Sequence, residues 1–104
     1  MTTTIGTIEL VLFKVNEGLS DDEVLKAATA LNECVKIEQG FIRRRFAKSE
    51  EQNLWMDLVL WTDMESAQKA AKNVMKNETA QHFFSMINES SMQFIHFEPR
   101  FEFE

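Results

Sequence analysis

Both histidines of the chain stand where an imidazole can take part in acid–base chemistry. His96 alternates with Met92, Phe94 and Glu98, so it points into whichever layer those side chains line. An imidazole exchanges protons near neutral pH and can take one from an acidic phenol or enol, which makes His96 a candidate general base. The plainer reading is a hydrogen-bonded structural histidine. His82 lies beside Phe83 and Phe84, where it can gate a pocket, ligate haem iron or simply face solvent, and Phe83 is a candidate substrate contact. Asp57 is the single charge inside LWMDLVLW. A buried carboxylate must be paired or protonated, and Arg43 or Arg45 is the expected counter-ion. That pair is either a structural cross-strand bridge or an anion-binding or acid–base site. Trp55 and Trp61 share the alternation of Asp57 and can stack on an aromatic ligand or fill the core. Cys34 falls on an apolar helical stripe, where a thiol is usually inert packing. No metal-ligand spacing is recognisable, and no metal is expected.

These residues need elements to hold them. Ile5 to Val15 is β-rich and apolar at both alternating sets, with Ile8, Leu10 and Leu12 on one face and Val11, Phe13 and Val15 on the other. Ser20 and Glu23 have the spacing of a capping box, so a helix is expected to start at Ser20. Its stripe is Val24, Ala27, Ala28, Leu31, Cys34 and Val35, and Gly40 follows, so the helix is expected to stop near Glu38. Phe41 to Ala47 alternates, with Ile42, Arg44 and Phe46 on one face and Phe41, Arg43 and Arg45 on the other. A polar turn and the strand Leu54 to Trp61 complete a hairpin. Thr62 and Glu65 repeat the capping-box spacing ahead of a second helix with Met64, Ala67, Ala70, Ala71, Val74 and Met75 as its stripe. Asn77 can break and recap that helix. Ser91 to Glu98 closes the order β-α-β-β-α-β, and beyond Pro99 the segment Arg100 to Glu104 can extend along an edge.

That order gives a ferredoxin-like antiparallel sheet in one α+β domain, residues 1–104, with the helices on one face. The first and third strands are then central, and they are apolar on both sides. A sheet covered once would expose a large hydrophobic patch, and a second copy of the sheet is the economical cover. A two-fold dimer buries the same patch on both subunits, so a homodimer is expected.

Composition narrows the partners. The 104 residues carry 44% hydrophobic and 27% charged residues with 3 Gly and 1 Pro, the make-up of an ordinary globular protein. The net charge of −6 opposes binding to a polyphosphate backbone, so no nucleic acid is expected. One cysteine permits no intramolecular disulfide, and neither a signal-peptide pattern nor a membrane-spanning run is visible, so a cytoplasmic protein with no membrane partner is expected.

From Ile5 to Phe97 the chain resembles the dimeric α+β barrel superfamily, and within it the antibiotic-biosynthesis-monooxygenase-like proteins. The resemblance is carried by IELVLFKV, the turn into Ser20, Gln39-Gly40-Phe41, LWMDLVLW followed by TDMESA, and the closing IHFE. It implies a cofactor-independent monooxygenase-like protein that holds a small aromatic or enolic molecule between sheet and helices, with no bound metal or flavin. The haem-degrading branch uses an Asn, a Trp and a His at places that here hold Val11, Ala70 and His82, which disfavours haem degradation by that route. The phenol oxygenases use an Asn, Trp, Tyr and Arg around their pocket, and this chain has no tyrosine. A second reading is therefore a non-catalytic ligand-binding or stress-related dimeric module. Haem binding through His82 is a third.

Overall fold

The computed structural model describes residues 4–104. Its elements run β1 (Thr7–Phe13), α1 (Asp21–Val35), β2 (Phe41–Ser49), β3 (Leu54–Trp61), α2 (Met64–Val74), α3 (Glu78–Ser85) and β4 (Gln93–Phe97), with a 3₁₀ turn at Glu89–Ser91. The capping box forms as expected: the Ser20 hydroxyl accepts from the Glu23 N–H at 3.2 Å, and a Glu23 carboxylate oxygen accepts from the Ser20 N–H at 2.7 Å. Helix α1 ends at Val35 rather than near Glu38, because the chain tightens there. The Glu38 N–H donates to the Val35 carbonyl at 3.1 Å, and Gly40 turns the chain at φ 89°. A Cβ at Gly40 would lie 2.5 Å from the Ser66 Cβ, so the turn needs glycine for space as well as for its left-handed backbone.

Helix α2 is capped one residue later than the spacing of Thr62 and Glu65 suggests. The Thr62 N–H is still engaged with the Gly40 carbonyl at 2.9 Å, and Asp63 accepts from the Ser66 N–H at 2.7 Å. Asn77 breaks the helix and caps α3, as expected, accepting from the Thr79 N–H at 2.7 Å.

The four strands are antiparallel in the order β2-β3-β1-β4, which places β1 and β3 in the middle. The odd-numbered residues of both central strands face the helices: Val11, Phe13, Trp55, Val59 and Trp61 are buried with Val24, Leu31, Ala67 and Phe83 in one core. Burial of each large apolar side chain stabilises the fold by about 1.5–3 kcal/mol. The even-numbered residues form the outer face, where Ile8, Leu10, Leu12, Met56, Leu58 and Leu60 are half-buried and Ile95 and Phe97 are exposed.

Strand β2 departs from simple alternation. Phe41 pairs with Trp61 and Arg43 with Leu60, so Ile42 is an extra residue in a β-bulge. The bulge moves Phe41 to the helix side with Arg44 and Phe46, correcting the face expected from strict alternation. There Phe41 meets Trp61 edge-on at 5.9 Å. Among the described residues no helix is long and apolar enough to cross a membrane.

Candidate active site

A pocket of about 60 Å³ lies between the sheet and the helices. Its sheet wall carries Glu9 and Val11 from β1, Arg44 from β2, Asp57, Val59 and Trp61 from β3 and Phe94 from β4. Apolar side chains of α1, α2 and α3 form the rest. Three ionisable groups on an otherwise apolar wall are costly to bury and must be held in pairs.

The first pair is Arg44 with Asp57. The Arg44 Nε and Nη2 groups donate to the two Asp57 oxygens, each at 2.8 Å, while Nη1 donates to the Ala28 carbonyl at 2.7 Å. The side chains are only 6% and 9% exposed. This corrects the expected counter-ion: Arg43 and Arg45 pair with Leu60 and Leu58 on the outer face, away from Asp57. The guanidinium thus ties β2 to β3 and to α1 with fork geometry that lysine cannot supply.

The second pair is Glu9 with His96. Their strands place them opposite one another, and the Glu9 Oε1 lies 3.0 Å from the His96 Nε2. Their side chains are 12% and 18% exposed. Burial lifts the Glu9 carboxyl above the ordinary carboxylate range, and the nearby Asp57 charge adds to the rise. The hydrogen bond and charge of His96, and the charge of Arg44, pull the other way. Glu9 is the pair's member on the pocket wall; His96 reaches the pocket through it.

Glu9 was not singled out from the sequence. The signal was a charge inside a central strand, the same signal that marks Asp57, and at alternating spacing from Val11 and Phe13 it belonged on the helix side. The remaining candidates divide. Trp61 lines the pocket; its indole N–H and the hydroxyl of its cross-strand neighbour Thr7 are buried and have no hydrogen-bond partner among the described residues. Trp55 belongs to the core beneath Phe46, with the Lys48 ammonium 5.3 Å from its ring. Phe83 is also core, edge-on to Phe13, Phe46 and Phe84, and it is Phe84 that reaches the pocket. His82 is exposed and lines a separate cleft between α1 and α3, with Asn16, Glu17 and Lys26. The structure therefore brings Asp57, Trp61 and His96 toward one site and leaves His82, Arg43 and Arg45 elsewhere.

The pocket's size bears on its ligand. A cavity of about 150 Å³ holds a benzene ring, so a ring enters this one only if its lining moves. Met75 and Phe94, both exposed at the rim, are the side chains placed to do so.

No protein-family model matches the sequence, and no curated protein does. Solved structures match its fold. SnoaB, a cofactor-independent oxygenase from Streptomyces nogalater, superposes with a TM-score of 0.78 at 14% identity, over 95% of this chain and 97% of that one. A monooxygenase from the gene ActVA-Orf6 of Streptomyces coelicolor, in complex with nanaomycin D, gives 0.77 at 14% identity, over 96% and 92%. A dimeric ferredoxin-like protein from an uncultured marine organism gives 0.69 at 12% identity, over 98% and 94%. The chain shares the ferredoxin-like α+β fold of these structures, as its strand and helix patterning leads one to expect.

Proposed function

We propose that the chain is an oxygenase-type enzyme, working as a homodimer without metal or flavin on a small enolic or phenolic molecule. In this reading Glu9 is the catalytic base and His96 the residue that positions it. The observation that carries the reading is the part-buried Glu9–His96 pair, whose Glu9 stands on the wall of an apolar pocket. A carboxylate raised by burial is a stronger base than one in water, and it stands closer to the acidity of an enol or phenol. Two proteins of this fold, SnoaB and the ActVA-Orf6 product, are oxygenases, which adds weight to the reading.

The reaction asks little else of the protein. Glu9 removes a proton from an activated methylene or its enol, and the conjugated anion forms a C–O bond with O₂ to give a hydroperoxide. Loss of water breaks the O–O bond and leaves a carbonyl. One oxygen atom ends in the product and one in water, and the substrate supplies all the electrons. The apolar walls keep the anion from being reprotonated by solvent.

The test is oxygen uptake with a panel of quinols, anthrones and smaller enols. Glu9→Gln should lower kcat/KM by at least about 100-fold. His96→Gln should retain some turnover but move the acid limb of the pH profile upward, because His96 holds the Glu9 carboxyl down. Full turnover by Glu9→Gln would sink the assignment. The small volume of the pocket favours a second reading, a non-catalytic binding module, and oxygen uptake with any panel member would count against it.

A further inference from the structure

The pocket between sheet and helices has most freedom to grow at its rim. Val11, Leu31, Val59 and Trp61, on its inner walls, are buried in the core, whereas Met75 and Phe94 are 46% and 41% exposed. Its volume of about 60 Å³ is less than half of the ~150 Å³ that receives a benzene ring, so even one ring must press these two side chains outward. Three fused rings need roughly three times the space of one, and the outer rings would stand beyond the rim in water. Most of their apolar surface would then contribute nothing to binding.

Charge sets a second limit. Arg44 is the one cation among the described residues that line the pocket. Its Nε and Nη2 groups are committed to Asp57, and Nη1 donates to the Ala28 carbonyl. A carboxylate or phosphate on the ligand would face Glu9 and Asp57 with no uncommitted cation on the lining to pair with, and an unpaired charge in an apolar site is costly. An uncharged ligand avoids that cost.

The base sets a third. A phenol has the acidity of a tyrosine side chain, about 10. The enol of a 1,3-dicarbonyl compound is a stronger acid, because its anion is spread over two oxygens. Burial raises the Glu9 carboxyl, while the hydrogen bond and charge of His96 and the charge of Arg44 hold it back, so such an enol is the closer match.

We infer that the pocket takes an uncharged 1,3-dicarbonyl compound, open-chain or with a single ring, and that its central methylene is the carbon oxidised. The inference rests on the oxygenase reading proposed above. Glu9 takes one methylene proton, and the central carbon of the enolate forms its bond with O₂. Glu9 returns the proton to the peroxide, and loss of water with the second methylene hydrogen breaks the O–O bond. The product is a vicinal tricarbonyl compound; the methylene gives up four electrons and O₂ accepts them.

Two measurements on the intact chain test this. Calorimetric titration under nitrogen reads binding alone, and oxygen uptake reads turnover. The probes are cyclohexane-1,3-dione, resorcinol as a phenol of the same size, 3,5-dioxocyclohexanecarboxylate as a charged analogue, and anthrone. The dione should bind saturably, and its kcat/KM should exceed that of every other probe by at least about tenfold. Phe94→Ala with Met75→Ala should raise the ratio of anthrone to dione turnover by at least about tenfold, because it opens the rim. Any other probe turned over as fast as the dione overturns the inference and leaves the oxygenase reading standing. No oxygen uptake from any probe, with the dione bound at least about tenfold more tightly than anthrone and the carboxylate, overturns the oxygenase reading and supports the ligand class. Neither binding nor uptake of the dione overturns the inference, and silence from the whole panel overturns both. An unchanged ratio in the rim variant, shown to be folded by circular dichroism, overturns the limit on size.

Discussion

Removing either member of the Arg44–Asp57 pair should destabilise the fold, but with different dependence on pH. Both side chains are more than nine-tenths buried, and the pair makes two 2.8 Å charged hydrogen bonds with a third to Ala28. Leaving one buried charge unpaired costs about 3–5 kcal/mol, a large part of the ~5–15 kcal/mol that holds a domain folded. In Arg44→Met the orphaned Asp57 can escape by taking up a proton as the chain folds. Where the folded state binds one proton more than the unfolded state, stability rises by about 1.4 kcal/mol for each pH unit lowered. Between pH 7 and pH 5 the penalty should therefore shrink by up to about 2.7 kcal/mol. In Asp57→Leu the orphan is a guanidinium, which cannot lose its proton. Glu9, the other carboxylate on the pocket wall, is one that acid would discharge, so that penalty should hold or grow as pH falls. The double variant Arg44→Met/Asp57→Leu should lie within about 1 kcal/mol of the parent, since a packed apolar pair can replace a buried ion pair. Urea denaturation at pH 7 and pH 5, followed by the fluorescence of Trp55 and Trp61, measures all four proteins. A loss below about 1 kcal/mol in Arg44→Met at pH 7, or penalties that shrink alike in both single variants, would refute the reasoning.

Glu9 makes a separate contribution with a definite sign. Its carboxyl is raised in the folded state, so its stabilisation is fully present below its unfolded value and is lost as pH rises through the folded one. In urea melts, Glu9→Gln should gain on the parent across that interval as pH rises; a constant difference would count against it. Phe83→Ala should cost about 3–5 kcal/mol, since Phe83 packs on three other rings in the core. A thermal shift near zero would show that it does not. Gly40→Ala should cost more than about 1 kcal/mol, because it adds a Cβ at φ 89° against Ser66. An unchanged denaturation midpoint would contradict the packing at that turn.

Much of this architecture can be read from residue spacing. Ser20 with Glu23 marks the start of α1, Asn77 marks the break between α2 and α3, and the double-sided apolarity of β1 and β3 marks them as central. Details that depend on neighbours elsewhere in the fold are less visible. Nothing local says that Ile42 bulges, yet the bulge decides that Phe41 packs inward. Which arginine meets Asp57 follows from how β2 and β3 align, and Phe46 rather than an arginine stands directly opposite it. Glu9 was concealed by the apolar residues around it, although a charge in a central strand is itself a sign of a paired site. His82 and His96 look alike as sequence; only the packing of α3 and β4 separates an exposed ring from one held by a part-buried carboxylate.

The three consecutive arginines of β2 have a consequence for how the sheet finds its alignment during folding. Sliding β2 by one residue along β3 in either direction would still bring an arginine, Arg43 or Arg45, to the side of Asp57. Charge attraction alone therefore cannot distinguish the native alignment from its two nearest competitors. The discrimination falls to the aromatic contacts of Phe41 with Trp61 and of Phe46 with Trp55, which a slip would break. In landscape terms the arginines make the early encounter of the strands forgiving, and the rings make only one of its outcomes deep.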